Sequence, residues 1–155
     1  MKINENKRLI SILCAEDDAE DRMFIKDAWK ESLIRNKLDF VEDGEELMDY
    51  LLRRGKYADM INSPLPGMIL LDLNMPRKDG REAIKEIKSS PDLRRIPIVV
   101  LTTSKAEEDI VRTYDLGVSG YVAKPVKFES LVNVMKGMKR YWLEVVELPI
   151  DKKSG

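Results

Sequence analysis

Five short apolar runs, each followed by a segment with apolar residues at helical spacing, constrain this chain more than any other feature. The runs fall at 9–15, 38–41, 68–71, 96–101 and 120–123 and are numbered β1 to β5. The segments 19–33, 44–54, 80–88, 105–116 and 126–148 follow them as α1 to α5. Short β runs alternating with helices of about ten residues or more predict βαβ units, and therefore a parallel sheet. The central runs are apolar throughout rather than alternating, as expected of strands covered by helices on both faces. The expectation is an α/β, doubly wound (βα)5 domain with strand order 2-1-3-4-5. Asp18 with Asp21 suits the start of α1, and Asp79-Gly80 opens α3. Asp115-Leu116-Gly117 reads as the stop of α4. The stretch 55–67 is a long connection for so compact a domain.

At 155 residues the chain has room for one ordinary core. Residues 1–8 read as a lead-in, 9–148 as the folded unit and 149–155 as a frayed tail, with no attached output module in view. Basic and acidic residues nearly cancel, 27 against 28, which gives no electrostatic case for nucleic acid or a membrane surface. The lone Cys14 sits in an apolar run, so there is no disulfide framework. No stretch approaches the roughly 18–20 apolar residues of a membrane span, and no signal peptide is visible. A soluble cytoplasmic protein is the expectation. Histidine is absent, which removes imidazole acid–base chemistry and any role as a phosphohistidine donor.

Chemistry gathers where the runs end. Asp72 follows β3 directly, Glu16-Asp17-Asp18 follows β1, and Lys124 follows β5 just before Pro125. In an open α/β sheet these ends share one crevice. Several carboxylates with one ammonium there suit a hard divalent cation, Mg²⁺, and a phosphoryl group. Asp17, Asp72 and the backbone carbonyl of Asn74 are the expected direct ligands, with Glu16 acting through water. Taken singly, the acids could merely cap a helix and Lys124 could be an exposed strand-end lysine. Two acidic strand ends together weaken that reading, because neighbouring buried carboxylates are costly without a compensating cation or proton. Thr102-Thr103-Ser104 places hydroxyls after β4, where they could meet a phosphoryl group or only make a turn. Tyr121 on β5 could simply pack.

These motifs resemble the receiver domain of two-component response regulators. The likeness is carried by Glu16-Asp17, by Leu70-Leu71-Asp72-Leu73-Asn74-Met75-Pro76 with Asp79-Gly80, by Thr102, and by Tyr121-Val122-Ala123-Lys124-Pro125. It spans about residues 9 to 147; many receivers have aspartate where this chain has Glu16. The resemblance implies a flavodoxin-like fold in which Asp72 accepts a phosphoryl group from a sensor histidine kinase. Mg²⁺ would sit on Asp17, Asp72 and Asn74, and Lys124 would hold a phosphoryl oxygen. Thr102 and Tyr121 would reorient and reshape the α4-β5-α5 face. It also implies a signalling protein that catalyses only its own phosphorylation and dephosphorylation, with Asn74 and Ser104 flanking the path of an attacking water. The segments Ser90-Pro91-Asp92-Leu93-Arg94-Arg95-Ile96-Pro97 and 101–109 resemble single-domain regulators that partner cyanobacterial phytochromes, which implies a light-sensing kinase.

Two other classes fit less well. A phosphohydrolase using an aspartyl phosphate would need a second acid two residues after Asp72, where Asn74 stands. An unphosphorylated adaptor would not need Asp17, Asp72, Thr102 and Lys124 together. The last helix is more apolar than one core face requires. Phe128, Leu131, Val132, Met135, Met138, Trp142, Val145 and Val146 suit packing on the sheet, and Val134, Tyr141 and Leu148 form a flanking stripe. That stripe is either a subunit contact or a wider core contact under the 55–67 connection. The resemblance to phytochrome-associated regulators implies a dimer, and a homodimer through the α4-β5-α5 side is the expectation.

Overall fold

The computed structural model describes residues 10–145 and 148–149. The lead-in, Leu9, Val146, residues 150–155 of the tail and the side chain of Val145 lie outside the described residues. Five strands, β1 Ile12–Ala15, β2 Leu38–Val41, β3 Met68–Leu71, β4 Ile98–Thr102 and β5 Gly120–Ala123, form one parallel sheet in the order β2-β1-β3-β4-β5. The helices are α1 Ala19–Glu31, α2 Gly44–Leu52, α3 Gly80–Ser89, α4 Glu107–Leu116 and α5 Phe128–Met138. This is the expected doubly wound fold.

The pleat divides the core into two layers. Leu13, Ala15, Ile69, Leu71, Ile98 and Val100 face α2 and α3, meeting Leu47, Leu51, Ile84 and Ile87. Their neighbours Ile12, Cys14, Met68, Leu70, Val99 and Leu101 face α1 and α5, meeting Ile25, Trp29, Leu131 and Met135. Every residue of β1, β3 and β4 is buried, which explains the uninterrupted apolar runs. The register sets Ala15 beside Leu71. The next residues, Glu16 and Asp72, therefore leave the sheet side by side.

Caps fix the helix starts. Asp18 accepts hydrogen bonds from the backbone N–H of Glu20 and Asp21, at 2.8 and 3.0 Å, and Asp79 accepts one from Arg81 at 2.8 Å. Gly117 ends α4 at φ 105°, in the left-handed region. α4 begins two residues later than its apolar spacing suggests. Ala106 offers no side-chain cap there, and Glu107, Glu108 and Asp109 complement the helix dipole instead. The long connection carries a 3₁₀ helix, Gly55–Met60. The buried Arg53 guanidinium holds that connection, donating to the carbonyls of Tyr50, Ser63 and Pro64.

The last segment differs from expectation. α5 stops at Met138 and a π-helix, Lys139–Val145, replaces its continuation. The wider i→i+5 turn re-aims every later side chain, so a regular heptad spacing no longer marks one stripe. Leu148, expected on the flanking stripe, is 9% exposed and packs in the α1–α5 layer beside Leu143. Val134 is half-buried, and Tyr141 is 56% exposed, edge-on to Trp142 at 5.2 Å. The stripe therefore does not survive as a unit. Nor does the 55–67 connection cover it, because Tyr57, Met60 and Leu65 pack on the opposite layer. Phe128 lies at the margin of the core, edge-on to Phe24 at 5.5 Å.

Candidate functional site

The carboxyl edge of the sheet brings the predicted site residues together. Asp72 is buried, and its two oxygens have separate partners. Oδ1 accepts the Thr102 hydroxyl at 2.7 Å and the Asn74 backbone N–H at 3.2 Å. Oδ2 accepts from Lys124 Nζ at 3.1 Å. Thr102 is the last residue of β4, and Lys124 follows β5, tied back by its N–H to the Thr102 carbonyl at 2.8 Å. Strand register thus delivers hydroxyl, ammonium and carboxylate to one point.

Lys124 does more than the sequence indicates. Its ammonium also pairs with Glu16 and, at 2.8 Å, with Asp21. Asp21 is recognisable in the sequence only as a first-turn acid. Its place three residues after the Asp18 cap, in the first turn of α1, puts it over the crevice. Burial alone would pull the Lys124 proton affinity down, but the carboxylates of Asp21, Glu16 and Asp72 overcome that and hold it above an ordinary lysine.

Glu16 is 1% exposed, and burial pushes its carboxyl up to about 7 against the pull of Lys124, with Asp72 adding to the rise. Glu16, Asp17 and Asp72 offer carboxylate oxygens within 4.8 Å of one another, Asp17 on the exposed side. Burial is the main cause of that rise, and three carboxylates around the one Lys124 ammonium leave the cluster short of positive charge. Three hard oxygen donors in that condition fit a divalent cation of the Mg²⁺, Mn²⁺ or Ca²⁺ class.

The remaining hydroxyls turn elsewhere. Ser104 does not face Asp72; its hydroxyl donates to Asp109 Oδ2 at 2.8 Å. Asp109 is held by Arg81 through two parallel bonds of 2.9 and 2.8 Å, and Arg81 also grips Asp79. The Tyr121 hydroxyl donates to the Ser104 carbonyl at 2.9 Å while its ring packs on the core. One clasp therefore joins the start of α3, the start of α4 and the β4–α4 loop. Thr103 lines a cavity of about 350 Å³ with Asp21, Phe24, Lys124, Pro125 and Val126, between α1 and the β5–α5 turn.

A parallel 2-1-3-4-5 sheet with this acid, hydroxyl and ammonium constellation defines a phospho-signalling receiver. The response regulator receiver domain matches residues 12–136, and the chain belongs to that family. It is 44% identical over 138 residues to the response regulator Rcp1 of Synechocystis sp., covering 89% of this chain and 92% of that protein. The solved structure of the phosphorylated cyanobacterial phytochrome response regulator RcpA superposes with a TM-score of 0.83 at 43% identity, covering 91% of this chain and 99% of that one. The Mn²⁺-bound form of Rcp1 gives a TM-score of 0.81 at 44% identity, over 90% and 99% of the two chains. The chain is thus a receiver-type signalling protein that resembles phytochrome-associated regulators. Among the described residues no helix is long and apolar enough to cross a membrane.

Proposed function

We propose that Asp72 is the phosphoacceptor for a histidine kinase of the phytochrome type. The observation that carries this reading is the Asp72 carboxylate, held at one oxygen by Thr102 and at the other by Lys124, beside the Glu16–Asp17 acids. A carboxylate oxygen attacks phosphorus as the P–N bond to the kinase imidazole breaks. The leaving nitrogen takes the bonding pair, and the proton already on the ring's other nitrogen leaves the kinase imidazole neutral. Lys124 holds a phosphoryl oxygen as charge develops, which is electrostatic stabilisation by a preorganised donor. Asp17, Asp72 and the Asn74 carbonyl would hold Mg²⁺, with Glu16 behind a water. When bound, the ion offsets negative charge on acid and phosphoryl oxygens alike.

The Thr102 hydroxyl, now on Asp72, turns to the phosphoryl group, and Tyr121 leaves the Ser104 carbonyl. The α4-β5-α5 face changes as both move. That side is our candidate for a homodimer contact. Val111 and Tyr114 are exposed one turn apart on α4, Tyr141 is exposed and Val134 half-buried, whereas the buried Leu148 drops out. The kinase helix that presents histidine would approach over Met23, Phe24, Val126 and Phe128. These leave an apolar rim beside Lys124, with Val126 94% exposed. The likeness to cyanobacterial phytochrome response regulators supports a phytochrome partner, and the reading takes the protein to act with it in the cytoplasm.

Intact-mass spectrometry after incubation with Mg²⁺ and acetyl phosphate tests the reading. One added phosphoryl group, absent from Asp72→Asn, is the expected result. Absence of both this adduct and a beryllofluoride complex in the wild type would reduce the protein to an adaptor of receiver fold.

A further inference from the structure

The turn that carries Glu16 and Asp17 lies beyond the sheet ladder, yet its two peptide carbonyls are not left to solvent. The Glu16 N–H makes the last β1–β2 bond, to Val41 O at 3.0 Å. Past that point one nitrogen of Arg22, on the first turn of α1, donates to both the Glu16 and Asp17 carbonyls, each at 2.9 Å. Its second terminal nitrogen pairs with Glu42 at 2.8 Å, on the turn after β2. The Arg22 side chain as a whole is about four-fifths buried. Two consecutive carbonyls converging on one nitrogen fix two peptide planes, and with them the directions in which the Glu16 and Asp17 side chains leave the chain.

We propose that Arg22 is a positioning residue for the cation site, holding the β1–α1 turn so that Glu16 and Asp17 meet Asp72. This rests on reading the three carboxylates as a divalent-cation site. Arginine suits the role because its planar fork reaches two carbonyls and a carboxylate at once, which a lysine ammonium cannot reproduce. Its charge works the other way, since a cation beside a Mg²⁺ site repels the ion. Glu42 offsets that charge at the far end of the fork. Geometry and charge therefore predict opposite signs when Arg22 is removed. If positioning dominates, Mg²⁺ binds more weakly; if charge dominates, it binds more tightly.

Titration calorimetry with Mg²⁺ alone, on the full chain, separates the two. Arg22→Ala should raise the Kd roughly tenfold, the scale of losing a partner that orients a metal ligand. Arg22→Lys should restore part of the loss, and Glu42→Gln should weaken binding by a smaller factor. Urea unfolding in EDTA gives stability without the ion, and the change in Kd should persist in variants that are fully folded at the titration temperature. If Arg22→Ala fails to fold, Arg22→Lys and Glu42→Gln carry the test. Affinity within twofold of wild type, or tighter, in the folded Arg22 variants would overturn the proposal. Wild-type protein that takes up no Mg²⁺ would overturn the cation reading itself and this inference with it.

Discussion

Two charged clusters border the same β4–α4 loop, and they are built on opposite principles. At the carboxyl edge, Glu16, Asp21 and Asp72 surround a single ammonium with Asp17 beside them, and the most buried of them, Glu16, is pushed up to about 7. In the clasp, Arg81 faces Asp79 and Asp109 in well-aligned bonds. There Arg81 holds the Asp109 carboxyl below its usual range, and Asp109 in turn raises the guanidinium. One cluster lacks positive charge and is ready to receive it; the other is satisfied and holds the backbone. A cation and a phosphoryl group belong to the first. Mechanical coupling belongs to the second.

Removing the ammonium should have the largest effect. Lys124→Ala leaves Glu16 and Asp72 buried with no countercharge, a change that destabilises by about 3 kcal/mol in comparable buried pairs. Urea unfolding at neutral pH in EDTA should show that loss, and Mg²⁺ should recover part of it. Equal stability of variant and wild type would mean that the acids are solvated rather than charge-starved.

The clusters should also tilt stability with pH in opposite directions. Glu16 has a folded value of about 7 against 4.5 when free, so between those values the folded state binds the extra proton. In EDTA that contribution is full below about pH 4.5 and is lost as pH rises through 7. Mg²⁺ should remove the slope, and so should Glu16→Gln. Asp109 is lowered from 3.8, so its contribution is present above that value and is lost as pH falls below it. Thermal unfolding from pH 3 to 8, with and without Mg²⁺, separates the windows. A wild-type Tm that does not fall between pH 5 and 7.5 in EDTA would contradict the charge deficit at Glu16.

The clasp predicts a smaller, cooperative loss. Arg81→Ala and Asp109→Asn should each destabilise by about 1 kcal/mol, and the double variant by little more than either alone, because both break the same pair of bonds. Neither should alter the affinity for Mg²⁺. Full additivity would show that the pair contributes nothing as a pair.

How far the sequence could be read follows the same division. β1, β3 and β4 were legible because residues buried on both faces leave no ambiguity of pattern, and parallel register then carries Glu16 and Asp72 to one edge. Lys124 and Thr102 were legible as residues just at strand ends. Asp21 and Arg22 were not, because a first-turn acid and base on a surface helix also read as ordinary capping and solvation. The Arg81–Asp109 pair joins residues from two helices, which no local pattern foretells. Leu148 misled for a physical reason. Its heptad distance from Tyr141 assumes α-helical pitch, and the π-turns after Met138 discard that pitch.

The smallest effect tests whether the clasp grips the switching loop. Tyr121→Phe keeps the ring on the core and removes only the bond from its hydroxyl to the Ser104 carbonyl. That carbonyl is on a loop open to water, so the net cost should be about 0.5–1 kcal/mol. Ser104 itself stays tied through its own hydroxyl to Asp109. Amide hydrogen exchange at residues 103–106 should therefore rise only modestly in Tyr121→Phe, and modestly again in Arg81→Ala. With both changes the loop loses its carbonyl anchor, and the Asp109 that holds its hydroxyl loses the support of Arg81, so exchange should rise by more than the product of the single effects. Exchange in the double variant equal to that product would mean that clasp and tyrosine act on the loop independently. The path from Asp72 to the α4 face would then run through Thr102 alone.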